Sequence, residues 1–306
     1  MTLTATTQPL RLVLPIDRTS AIEEAVAYAT AIARPGDEML FLSAIDLGGI
    51  NPVVMPKSVS VNELRARVKA DAEQEMNLIT AGVIGPDDVT IRTLVEDGSP
   101  AEIIIKNAPN AETSLIIMPS HGRGAIGRLT YGSVADRVAR TSHAPVLLIR
   151  FAKEGTTLPE KPIQRLVVPL DGSTRSEKSL PTAIALAKRL AVPIQLVAVS
   201  EVERMAAIYG ATLSAAAYGE LSDEAETELM KSLESVADRV AAEGVPVKLQ
   251  VLSGAVAAAI ESVTEPGDVI VMTSHGRGGM RRLILGSVAE QLGRTASVPV
   301  LLVPSM

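Results

Sequence analysis

The chain has 306 residues, a formal net charge of −6, 47% hydrophobic and 2% aromatic content, and neither tryptophan nor cysteine. An acidic chain with so few aromatic stacking surfaces excludes a general nucleic-acid binder, and the missing cysteines exclude disulfides, thiolate catalysis and Cys-ligated zinc. The opening Met1-Thr-Leu-Thr-Ala-Thr-Thr has no basic or apolar leader character and no apolar run approaches a membrane span, so a cytoplasmic protein without membrane contact is expected.

A first β-rich run, Leu10–Pro15, ends at a Pro-x-Asp that places Asp17 just beyond it. Behind Thr19 or Ser20 as cap, Ile22, Ala25, Val26, Ala29 and Ile32 recur at helical spacing. A second strand is predicted at Met39–Ile45, and Leu47–Ser60, with Gly48, Gly49, Pro52 and Pro56, reads as a loop. A long helix is predicted over Val61–Ala81, with Leu64, Val68, Ala72, Met76 and Ile79 on one face. There follow a strand at Thr90–Val95, a short helix at Ala101–Asn107, a strand at Ser114–Met118, a helix opened by Gly132-Ser133 and a strand at Val146–Ile149.

Phe151–Ile163 is polar and contains proline, as a linker would be. The same order then returns: strand Arg165–Pro169, helix from about Ser176 to Leu190, strand Pro193–Val199, helix from about Ser222 to Ala242. Strand Val247–Leu252, helix Ala255–Val263, strand Asp268–Met272, a helix opened by Gly286-Ser287 and strand Val300–Val303 complete it. Met205–Glu220, Ala-rich and broken by Gly210 and Gly219, reads as a lid or a partner surface. Strands alternating with helices predict an α/β chain of two tandem, doubly wound, Rossmann-like domains over 1–152 and 163–306, each with a parallel sheet of continuous apolar strands.

The two halves carry one motif in common. Ser120-His121-Gly122-Arg123-Gly124 recurs as Ser274-His275-Gly276-Arg277-Gly278, displaced by 276 − 122 = 154. Gly132-Ser133-Val134 and Gly286-Ser287-Val288 keep that displacement, as do Asp17 and Asp171 and the Pro-Val-Leu-Leu runs at Pro145 and Pro299. Glycines just past a strand let backbone approach an anion without an intervening Cβ, and a helix that begins beside them directs free N–H groups and a positive dipole end to the same place. The serine hydroxyl can cap that helix or donate to the anion. Two tight turns with solvated arginines are the plainer alternative. For Asp17 and Asp171 the plainer alternative is capping after a strand.

With Pro-x-Asp after the first strand and Gly-x9-Gly-Ser after the fourth, each half resembles a domain of the universal stress protein family in its tandem form. The family signature Gly-x2-Gly-x9-Gly-Ser/Thr is matched at its second and third glycines by Gly122 and Gly132, and by Gly276 and Gly286, with Ser133 and Ser287 as hydroxyl. Its first glycine is replaced by Pro119 and Thr273. Proline lacks an N–H and threonine keeps one, and Asp171-Gly-Ser173 is closer to the family's first loop than Asp17-Arg-Thr, so the second half is expected to bind better.

What the resemblance implies is binding of ATP, as its Mg²⁺ complex. It places Asp17 or Asp171 by the adenine, Ile45 or Val199 beside them, and Gly98 or Gly254 at the ribose, these two glycines being offset by 156. Met118 and Met272 at the ends of strand four, which could equally serve the core, complete the candidate set with Ser274, His275, Arg123 and Arg277. The resemblance also implies pairing of the two halves through their last strands as a pseudo-dimer, and a homodimer of chains. No Walker lysine, metal-ligand spacing or nucleophile–base pair is present, and Ser120-His121 and Ser274-His275 are adjacent residues whose side chains diverge. A non-enzymatic ATP-binding stress protein is therefore expected. The alternative is a relative that no longer holds ATP and acts through protein contacts.

Overall fold

Every strand of each half hydrogen-bonds its neighbours in parallel, so all loops that leave the strands emerge at one edge. The computed structural model describes residues 9–16, 22–46, 60–83, 85–120, 132–149, 162–202, 215–274 and 285–305, and the observations below concern these. The chain divides into two compact units at residues 153 and 154.

The first half runs β1 (Arg11–Pro15), α1 (Ile22–Ile32), β2 (Glu38–Ile45), α2 (Val61–Ala81), β3 (Thr90–Asp97), α3 (Pro100–Asn107), β4 (Ser114–Pro119), α4 (Ser133–Thr141) and β5 (Val146–Ile149). Its strand order is β3-β2-β1-β4-β5. The second half repeats it with β6 (Arg165–Pro169), a 3-10 turn at Ser176–Ser179 leading into α5 (Leu180–Leu190), β7 (Ile194–Ser200), α6 (Ala215–Ala242), β8 (Val247–Ser253), α7 (Val256–Ser262), β9 (Asp268–Thr273), α8 (Ser287–Thr295) and β10 (Val300–Val303). Its order is β8-β7-β6-β9-β10. Both are Rossmann-like: the chain steps outward from the first strand, then returns to its other side, leaving a topological switch point between first and fourth strands.

The central strands are the apolar runs expected of a sheet covered on both faces. Leu12, Val13, Phe41, Leu115, Ile116 and Ile117 are fully buried, as are Leu166, Val167, Val269 and Ile270. β3 and β8 depart from that expectation: each lies at the outer end of its half's strand order and buries at most one side chain, the rest being half-buried or exposed. α6 begins seven residues earlier than expected, because the alanines around Gly219 carry the helix across a residue that only weakens it. Ile163, assigned to the linker by composition, is 5% exposed. Residues 150–161, 47–59 and 203–214 lie outside the described residues.

Arg11 and Arg165, offset by 154, open the first strand of each half and pair differently. Arg11 Nε donates to Glu38 at 2.7 Å. Arg165 makes a two-pronged bond to Asp268, with Nε–Oδ1 at 2.8 Å, and donates from Nη1 to Gln195 at 2.6 Å and from Nη2 to the Val263 carbonyl at 3.1 Å. Asp268 is 3% exposed and also accepts from the Glu265 amide. Its hydrogen bonding raises the Arg165 pKa against the opposing effect of burial. Asp268→Ala strips the guanidinium of its carboxylate and the Glu265 amide of its acceptor, and should destabilise the second half by about 3 kcal/mol, read by urea unfolding. In the first half, burial and then the Glu24 carboxylate push the Tyr28 phenol up to about 12. A raised folded pKa contributes stability that is complete below pH 10 and is lost as pH rises through 12, here about 2–3 kcal/mol. Tyr28→Phe should remove that alkaline loss relative to the native chain in the same unfolding measurement.

Candidate functional site

The helix after the fourth strand is fastened to that strand's end in both halves. Gly132 N donates to Ser120 O at 3.0 Å, and Gly286 N donates to Ser274 O at 2.8 Å. The strand ends are themselves held by the sheet, through Ser120 N to Ile149 O at 2.8 Å and Ser274 N to Val303 O at 2.9 Å. Each glycine-containing loop is therefore clasped at its base. Gly132 and Gly286 occupy the N-cap with φ near −61° and extended ψ, a conformation open to any residue, so no special dihedral requires glycine there.

Ser133 and Ser287 consequently sit inside the first turn, and no side chain caps either helix. Of the two roles open to the hydroxyl this removes capping, because the glycine has taken the cap position one residue earlier. Intrahelical bonding begins with Asp136 N to Gly132 O and Glu290 N to Gly286 O. The amides of Ser133, Val134 and Ala135, and of Ser287 and Val288, precede it and have no acceptor among the described residues. Several N–H groups and the positive end of the helix dipole thus meet at the carboxyl edge of the sheet.

In the first half this edge opens into a cavity of about 590 Å³. Its walls are the ends of β1, β2 and β4 (Pro15, Ile16, Leu42 to Asp46, Met118 to Ser120), the start of α4 (Gly132 to Ala135), the start of α3 (Pro100, Ile104) and one stripe of α2. It brings together Ile45, Met118, Gly132, Ser133 and Val134 of the candidate set. Gly98 is not in its lining but adjoins it, donating its N–H to Ile45 O at 3.0 Å. Gly98 and Gly254 have φ of +134° and +106°, a region that side chains rarely adopt. Asp17, Gly122 and Arg123, with His275, Gly276 and Arg277 of the second half, lie outside the described residues.

The α2 wall (Val68, Asp71, Ala72, Glu75, Met76, Ile79) was not foreseen, since its periodicity reads as an ordinary core face. A usable signal was present in Ser60-x-x-Glu63, a capping box that fixes where α2 starts and hence which way the stripe faces. Ser60 Oγ accepts from Glu63 N at 3.1 Å and Glu63 accepts from Ser60 N at 3.0 Å. That bonding lowers the Glu63 pKa.

The second half places Met272, Ser274, Gly286, Ser287 and Val288 around its own clasp, at the strand end and the helix start. Val199 requires correction. Leu12 pairs with Met39 and its counterpart Leu166 pairs with Ile194, so the offset at the second strand is 194 − 39 = 155. Ile45 lies opposite Asp97, next to Gly98, while Ser200 lies opposite Ser253, next to Gly254. Ser200 is the counterpart of Ile45, and Val199 belongs with Ala44 on the other face, because side chains alternate along a strand. Burial agrees: Ile45 is 7% and Ser200 6% exposed, whereas Ala44 and Val199 are half-buried. Asp171 accepts at Oδ1 from Ser173 N at 3.0 Å and Ser173 Oγ at 2.6 Å in a side-chain turn, and the cap of the 3-10 turn that follows is Arg175.

Among the described residues no group of three or more His, Asp or Glu is placed to hold a metal, and no helix is long and apolar enough to cross a membrane. A sequence model described as the universal stress protein family matches residues 10–150 and again 162–304. A universal stress protein of Mycobacterium tuberculosis is 31% identical over 193 residues, 62% of this chain and 61% of that protein. Another from Mycolicibacterium smegmatis is 23% identical over 299 residues, covering 95% of this chain and 96% of its own. The crystal structure of a universal stress protein from Archaeoglobus fulgidus shares the fold, with a TM-score of 0.68 at 21% identity over 97% of this chain and 98% of that one. The match to the M. tuberculosis protein spans less than two thirds of its length. With the family model matching both halves, the chain belongs to the universal stress protein family.

Proposed function

We propose that the chain is a nucleotide-binding member of its family, holding ATP at the clasped loop and acting in a stress response without turning the nucleotide over. The observation that carries this is the clasp, which directs unpaired helix-start amides at the sheet's carboxyl edge in both halves. Residues Ser133, Val134, Ser287 and Val288 would meet phosphate oxygens, and Ile45, Met118, Ser200 and Met272 would flank the rest of the molecule. Mg²⁺ would arrive on the phosphates, which usually keep it hydrated with few protein ligands. The second half is the better nucleotide site in this proposal, since Thr273 retains the N–H that Pro119 lacks. Pairing of the halves through their last strands, and of chains as a homodimer, is proposed on the family resemblance, and sedimentation of the full chain reads the latter.

Gly286→Glu puts a side chain and a negative charge at the helix start while keeping a dihedral that glutamate adopts without strain. ATP affinity measured by calorimetry on the full chain should fall by a hundredfold or more, about 3 kcal/mol, with the circular dichroism spectrum retained. An unchanged affinity in the folded variant removes the clasp as a phosphate site. Gly132→Glu should act in the same way on the weaker site alone.

Transfer of a phosphoryl group needs positioned cations and a group that orients water. Single-turnover release of phosphate from bound Mg²⁺–ATP should be far slower than about 1 s⁻¹, the low end of ordinary enzymes. A rate at that level, lost in His275→Ala, would make the protein an enzyme.

A further inference from the structure

The long helix meets its sheet differently in the two halves. α6 buries Leu233, Val236, Ala237 and Val240 over β7 and β8. α2 covers the corresponding strands β2 and β3, yet Met76 is its one buried side chain. The space left beneath it belongs to the 590 Å³ cavity, a volume typical of small-molecule sites. The α2 residues that face it follow i, i+3, i+4, i+7, i+8 and i+11 from Val68, a wall about 16 Å long at 1.5 Å per residue.

The lining of the cavity is of three kinds. The start of α4 brings the amides of Ser133, Val134 and Ala135. Leu42, Val68, Ala72, Met76, Ile79 and Ile104 supply an apolar interior. Asp46 and Asp71 are exposed and Glu75 is half-buried, so carboxylates stand where the α2 side meets solvent. A second anion on the ligand would meet those carboxylates.

We propose that the first half holds an amphipathic anion: a single phosphate head at the α4 amides and an unbranched apolar tail beneath α2. This ligand shares with ATP the helix-start amides and the Ile45 and Met118 wall, and differs in running its tail along the α2 wall of the same cavity. The nucleotide assignment to the second half does not depend on it.

The probe is monomeric dodecyl phosphate, titrated calorimetrically into the full chain below its micelle concentration. Inorganic phosphate is the head alone, and 1,12-dodecane bisphosphate carries charge at both ends. Dodecyl phosphate should bind one per chain, at least tenfold tighter than either control. Ala72→Phe, which fills the slot from the helix side, should weaken it tenfold or more, and Val68→Phe, one turn earlier, serves if the first variant fails to fold. Binding no tighter than inorganic phosphate, or an affinity unchanged in a folded slot-filling variant, overturns the inference. A parallel ATP titration separates the outcomes: ATP bound without dodecyl phosphate removes this inference alone, and dodecyl phosphate bound without ATP supports it while removing the nucleotide assignment.

Discussion

One hydrogen bond per half, from the N-cap glycine to the carbonyl that ends the fourth strand, fixes where the following helix begins. The acceptor cannot drift, because the same strand residue is tied by its own amide to the next strand. The helix start therefore inherits the rigidity of a buried parallel sheet, although the loop between the two bonded residues is long. A dipole end is worth a few tenths to about 1 kcal/mol per charge at an exposed helix. Fixed at the edge of an apolar sheet and supplemented by unpaired amides, it would cost little to organise around an anion in the function proposed above.

The separation between α2 and its sheet has a chemical cause in its own stripe. Asp71 and Glu75 are interleaved with Val68, Ala72, Met76 and Ile79, so pressing the helix onto β2 would bury carboxylates. The buried stripe of α6 is Leu233, Val236, Ala237 and Val240, with no carboxylate among them. The two long helices therefore cover their sheets with different linings, one a buried apolar stripe and the other interrupted by carboxylates. Duplication has given the chain two copies of one fold whose long helices are no longer equivalent.

Most of the architecture was legible because it is written in period and punctuation. Alternating apolar runs and helical stripes located every described strand within two residues. Misplacements have particular causes. α6 was cut short at Gly219, where a breaker of modest cost was outweighed by alanine propensity. For Ser133 and Ser287 capping was one of two roles open to the hydroxyl, and the backbone assigns that place to the glycine before them. Val199 was aligned to Ile45 by a constant spacing that the strand register does not keep, and a slip of one residue changes the face of the sheet. The α2 wall was invisible because an apolar stripe carries no mark of how closely its helix approaches the sheet.

The spacing between halves is 154 at the first strand, 155 at the second, 156 at the third and again 154 at the fourth (Leu12 to Leu166, Met39 to Ile194, Ile91 to Val247, Ser114 to Asp268). Length was gained twice on the outward path and given back before the return to the centre. The switch point lies between the first and fourth strands, so the cancellation leaves the binding edge in register while the outer strands are free to vary. For chimeras built between the halves, segments from the fourth strand onward are interchangeable residue for residue, whereas the second and third strands have to travel together with the connections that lengthened them.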